Sequence, residues 1–144
     1  MVDRPTTGER DMLVTIARLF GIAFLLVGIL GFIPGITSDA PGDFVGEDSE
    51  AELLGLFGVS VLHNVVHLLF GLAGLALART WDGARLFLIG GGVVYLALWV
   101  VGLVGGLEWL PANSEDHWLH FALGGAMVAS GFLLGRDAPP RTAT

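Results

Sequence analysis

The chain has 144 residues, 53% of them hydrophobic and only 15% charged, with 22 glycines and a mean hydropathy of +0.74. That is far more apolar than an ordinary soluble domain, and four spans of about 20 residues each would use most of the chain, leaving one compact membrane domain and no second one. A formal charge of −7 without a single lysine argues against nucleic acid, which needs a basic face, and the absence of cysteine excludes disulfides, iron-sulfur clusters, Cys-based zinc sites and thiol catalysis.

In chain order, residues 1–11 form a polar N-terminal tail, and the first predicted span covers residues 12–33, stopping at Pro34-Gly35. It is too long for the core of a signal peptide and shows no small-residue cleavage site, so it is expected to stay as an anchor. A second span over 53–78 ends at Arg79-Thr80, a third covers 84–104, and Pro111 with Asn113-Ser114 precedes a fourth over 117–135; residues 136–144 form the C-terminal tail. No segment alternates with period two, which excludes a barrel, so the fold class is an all-α four-helix transmembrane bundle made of two helical hairpins.

The arginines set the orientation. Arg4, Arg10, Arg18, Arg79, Arg85, Arg136 and Arg141 all fall at the termini or around the second-to-third turn. The other two loops hold nine acids (Asp39, Asp43, Glu47, Asp48, Glu50, Glu52, Glu108, Glu115 and Asp116) and no base, so both termini of this multi-pass cell-membrane protein are expected in the cytoplasm. The acidic run lacks the spacing and central glycine of an EF-hand and reads as a solvated rim. Trp81 fits an inner interfacial anchor, Trp109 and Trp118 outer ones, while Trp99 and Tyr95 lie deeper as packing residues.

A repeat is visible. Ala17-Arg18-Leu19-Phe20 opens the first span and Ala84-Arg85-Leu86-Phe87 the third; His67-Leu68-Leu69-Phe70-Gly71 in the second matches His120-Phe121-Ala122-Leu123-Gly124 in the fourth. Same-direction half-repeats imply a pseudo-twofold along the membrane normal, with helices two and four in equivalent places.

The histidines are the only chemistry on offer. His63 and His67 stand at i,i+4, and His117 and His120 at i,i+3, so each pair shares one helical face. With Ser60 capping the second helix and Ser114 the fourth, His67 and His120 lie about 9 to 10 Å below the outer boundary. Ionisable groups at that depth face the bundle interior and seek partners; Asp116 is placed to orient His120, and Asn64 to bond beside His63. The reading that asks least is a structural polar cluster in which His63, Asn64, His67, Asp116, His117 and His120 bond one another and hold helices two and four together. Haem b between His67 and His120 is a second reading, with Gly71 and Gly124 leaving room for the macrocycle. A zinc or other divalent site on His63, His67, His120 and Asp116 is a third, and a proton or solute path a fourth. Gly90-Gly91-Gly92 lies inside a span and cradles no phosphate, and no hydrolase signature surrounds Ser60 or Ser130.

Several segments together resemble a bacterial membrane-protein family catalogued as domain of unknown function 4383: Ala17-Arg18-Leu19-Phe20-Gly21, Leu30-Gly31-Phe32-Ile33-Pro34-Gly35, Leu54-Gly55-Leu56-Phe57-Gly58-Val59, Leu62-His63-Asn64-Val65-Val66-His67-Leu68-Leu69-Phe70-Gly71, and Asp116-His117-Trp118-Leu119-His120 with Gly124. Similar sequences often carry Asn-Pro at Ser60-Val61, which implies a helix start near Ser60. They often carry Asn at the place of His117, which moves weight to His63, His67 and His120. The resemblance implies architecture and no reaction. The expectation is therefore a non-enzymatic scaffold or accessory subunit in the lipid bilayer, as a homo-oligomer or with a membrane-protein partner.

Overall fold

The computed structural model describes residues 7–38, 44–45, 50–106 and 113–136. The outer acids Asp39, Asp43, Glu47, Asp48 and Glu108, the anchor Trp109, the arginines Arg4 and Arg141, and most of both expected tails lie outside these residues. Four helices carry the fold: α1 (Thr7–Leu30), α2 (Val61–Leu77), α3 (Trp81–Leu103) and α4 (Ser114–Leu133), with a two-stranded antiparallel hairpin, β1 (Glu52–Leu53) and β2 (Phe57–Gly58), between α1 and α2. Two of the helices, over Met12–Leu30 and Trp81–Leu103, are long and apolar enough to cross a membrane, whereas α2 is a shorter apolar helix.

The second span expected from Leu53 is the largest correction. Residues 52–58 are hairpin, and α2 starts only after Ser60, whose hydroxyl accepts from the backbone N–H of His63 at 3.1 Å. Hydropathy alone does not distinguish Leu53–Gly58 from helix, but the backbone does: Leu54 and Gly55 have φ of +57° and +66°, a left-handed turn that ends any helical run. The fourth helix is capped by Asn113, not Ser114. Asn113 Oδ1 accepts from the N–H of Asp116 at 3.0 Å while Asp116 Oδ2 accepts from the N–H of Asn113 at 3.1 Å, a reciprocal capping box.

Helix α1 packs antiparallel on α2 and α3 on α4, while α2 and α4 share almost no direct contact. Both tight pairs are built on glycine. A Cβ on Gly71 would sit 2.7 Å from the carbonyl oxygen of Gly21 and the amide nitrogen of Leu25, and one on Gly124 would sit 2.9 Å from the carbonyl of Gly92 and 3.0 Å from the amide of Leu96. Backbone approach this close is how small residues join helices where burial from water gives no drive. The two arginines compared in the sequence differ here: Arg18 Nε donates to the carbonyl of Ala78 at the end of α2 at 3.1 Å, whereas Arg85 Nε, close to Gly135 at the end of α4, is buried without a hydrogen-bond partner.

The core is aromatic at mid-height. Phe24, Phe70 and Tyr95 pack with centroids 5.0 to 5.4 Å apart, and Phe87 joins Phe70 at 5.3 Å. Leu13, Ala17, Ala78, Ala84, Leu88 and Met127 close the arginine-bearing end below them. At the other end Ala51, Leu53 and Val59 form a second small cluster with Val27, Leu30 and Ile36, and Thr37 Oγ1 donates to the carbonyl of Leu30, satisfying the end of α1.

Candidate functional site

Between the α1–α2 hairpin and α4, above the aromatic layer, lies a cavity of about 250 Å³. Phe20, Phe24 and Val27 of α1 form one wall, Leu119 and Leu123 of α4 another, and Leu53, Leu54 and Phe57 of the β-hairpin cover its outer end. Four of its lining residues are the expected ones: His63, His67, Asp116 and His120. Helix-start chemistry sets their level. A step of seven residues separates Ser60 from His67 and also Asn113 from His120, so both rings project about 10 Å in from their caps at 1.5 Å per residue.

The histidines come together without bonding one another. His63 and His67 stack with centroids 4.5 Å apart and planes 5° from parallel. Tyr95 of α3 lies close to both helices, its ring 6.3 Å from that of His67 and 5.1 Å from that of His120. Among the described residues, the Nδ1 atoms of His67, His117 and His120 and both side-chain polar atoms of Asn64 are buried and lack a hydrogen-bond partner. The mutually bonded cluster expected from the sequence is therefore not what these residues form. Two members stand apart from the cavity: His117 lies against Gly102 on α3, and Asn64 lies against Gly31, just past the last turn of α1.

Asp116 also differs from expectation. Rather than orienting His120, its Oδ2 accepts from the N–H of Gly58 at 3.0 Å as well as from Asn113, and Asn113 Nδ2 donates to the carbonyl of Leu56 at 2.6 Å. These bonds fasten the β-hairpin to the start of α4 and hold the cavity's cover in place. Asp116 is 2% exposed. Burial, with added repulsion from Glu115 and Glu52, outweighs the two N–H bonds and pushes its carboxyl up to about 6.

The arrangement bears on the cofactor readings. Among the described residues no group of three or more His, Cys, Asp or Glu side chains is placed to hold a metal ion, so His63, His67, His120 and Asp116 do not converge as a ligand set. A haem b on His67 and His120 needs more space than a cavity of about 250 Å³ provides. The cavity also falls below the range of about 300–1,000 Å³ usual for drug-sized ligands. What the site offers is a small, mostly apolar chamber with imidazoles in its wall. The sequence placed the histidines at one level; it carried no sign of Phe20, Phe24 or Leu119 as wall residues, because apolar positions in a lipid-facing helix and in a cavity wall read alike.

A family model described as Domain of unknown function (DUF4383) matches residues 15–133. No curated protein matches the chain, and no solved structure does.

Proposed function

Because the chain belongs to the DUF4383 family, whose description assigns no reaction, we propose from the site itself that it is a non-catalytic accessory protein of the cell membrane. On this reading four spans cross the bilayer with both termini cytoplasmic, and the outer half keeps a chamber for a small molecule drawn from the lipid phase. The observation that carries it is the pairing of the cavity with His67, a side chain only 8% exposed that lines it and whose Nδ1 has no protein partner. A group that served only to tie helices together would use its bonds.

Exposure supports the membrane assignment. In each of the two long apolar helices only 28% of the most hydrophobic window is buried, whereas the core helix of a soluble protein is mostly buried. Leu19, Leu26, Leu69, Leu72, Leu86 and Phe132 each stay more than half exposed, as lipid-facing side chains do. Arg18, Arg79, Arg85 and Arg136 stand together at the end opposite the cavity, in keeping with a cytoplasmic face there. The matched contacts of Gly71 and Gly124 favour two hairpins related by a pseudo-twofold.

The chamber and the structural cluster make opposite predictions for His67→Leu. Replacing a buried, unpartnered polar group with an apolar one of similar size is neutral or stabilising, by up to about 1 kcal/mol. Loss of a bonded interhelical histidine would instead cost about 0.6 to 2 kcal/mol. Unfolding in detergent measures the sign, and a clear loss refutes the chamber reading. A reporter fused after Thr144 that is active only outside the cell would refute the orientation.

A further inference from the structure

The chamber's lining narrows what it can hold, and we infer that its occupant is the planar, uncharged ring of a quinone or quinol, its oxygens bonded to His67 and His120. This rests on the chamber reading above and adds the chemistry of the ligand.

Three features carry the inference. The first is ring content: His63, His67, Phe24, Tyr95 and His120 line the cavity beside aliphatic Leu119 and Leu123, with the His63–His67 stack, Phe24 5.8 Å from His67, and Tyr95 5.1 Å from His120. Exposed ring surfaces in a lining favour a conjugated ring over a branched aliphatic group. The second is charge. Among the described residues no arginine lines the space, and the one carboxylate that does, Asp116, is committed through Oδ2 to two backbone N–H groups. An ionic ligand would find no counter-charge there, and an uncharged ring avoids that cost.

The third feature is the tautomer. A neutral imidazole carries one N–H and one bare nitrogen, and the bond made by one nitrogen fixes which is which. Here Nδ1 of His67 lacks such a bond, so its proton is free to sit on either nitrogen. That ring can therefore donate to a carbonyl oxygen or accept from a hydroxyl, which are the two faces that a quinone and its quinol present. With about 250 Å³ available, about eight waters' worth at about 30 Å³ each, the chamber takes a one- or two-ring head and leaves any long tail outside. The outer cover supplies a mouth at lipid level, where Leu54 is 64% exposed beside the cavity.

The test uses the full chain in lipid nanodiscs, its histidine side chains labelled with nitrogen-15, titrated with 1,4-naphthoquinone and, separately, with naphthalene, which has the same ring and no oxygen. The expected result is saturable binding of the quinone with shifts in the imidazole nitrogens of His67 and His120. Naphthalene should bind about threefold to tenfold more weakly for each quinone oxygen that would have bonded to an imidazole. His67→Leu and His120→Leu should each reduce quinone affinity by a similar factor, His67→Gln should recover part of it through its own donor, and His117→Ala should leave it unchanged. Should one leucine variant fail to fold, the other variant and the wild-type shifts still decide the matter. Equal binding of the two probes without imidazole shifts would overturn the quinone assignment while leaving a chamber for apolar molecules. Failure of both probes to bind would overturn the chamber as well.

Discussion

The two halves of this bundle are packed on different principles. Toward the arginine-bearing end, glycine brings backbones into contact, aromatic rings fill the middle, and Arg18 caps the last turn of the neighbouring helix. Toward the other end, Gly28 still brings α1 against the backbone of α2 at Asn64 and Leu68, but a cavity lies between that pair and α4, and polar atoms of Asn64 and His67 are buried without partners. A bundle of this size has few ways to hold its helices together, and at this end part of the contact with α4 is replaced by a cavity. That half is left free to keep groups in costly environments, the arrangement expected where stability has been given up locally for binding.

The sharpest way to break the contrast is at the glycines. Gly71→Leu would drive a side chain into the backbone of Gly21 and Leu25, which helix backbones cannot yield to, so a loss of about 3 kcal/mol or more, or failure to fold, is expected in detergent unfolding. A substitution in the loose half should behave differently. Gly31→Ala places its Cβ against the amide of Asn64 and should cost about 1–3 kcal/mol, a loss largely recovered in the Gly31→Ala/Asn64→Ala double variant, because Asn64 itself makes no bond there. Additive losses in that pair would mean that Asn64 is held by something other than packing.

The smallest expected effect concerns the cover. With its carboxyl raised to about 6 by burial, Asp116 binds its proton more tightly in the folded chain than in the unfolded one, where the carboxyl has an ordinary value of about 3.9. Its contribution to stability is therefore fully present below about pH 4 and is lost as the pH rises through 6. Asp116→Asn keeps an oxygen to accept the N–H of Gly58 and of Asn113, so folding should survive while the pH dependence between 4 and 6 flattens. An unchanged slope in the variant would assign that dependence to other groups.

Much of this was legible in the residues themselves. Hydropathy located four helices, and Ser60, read as a cap, stands at the start of α2. The misreadings share one cause. Leu53 to Gly58 is as greasy as the helix that follows, so composition merged hairpin and span, and only the positive φ values at Leu54 and Gly55 part them. Likewise Asp116 stands four residues before His120, the spacing of helical neighbours, yet Oδ2 of its carboxylate turns to Gly58, far away in the chain. Spacing within a helix shows which side chains share a face; it does not show what a loop from elsewhere brings to that face.

The aromatic floor formed by Phe24, Phe70, Phe87 and Tyr95 carries a kinetic implication. With packed rings on its inner side, the proposed chamber would exchange its contents toward the outer face, so on the proposed orientation its occupancy would follow the composition of a single monolayer. Such a protein would sample one leaflet as a gauge does, without ever conducting what it measures.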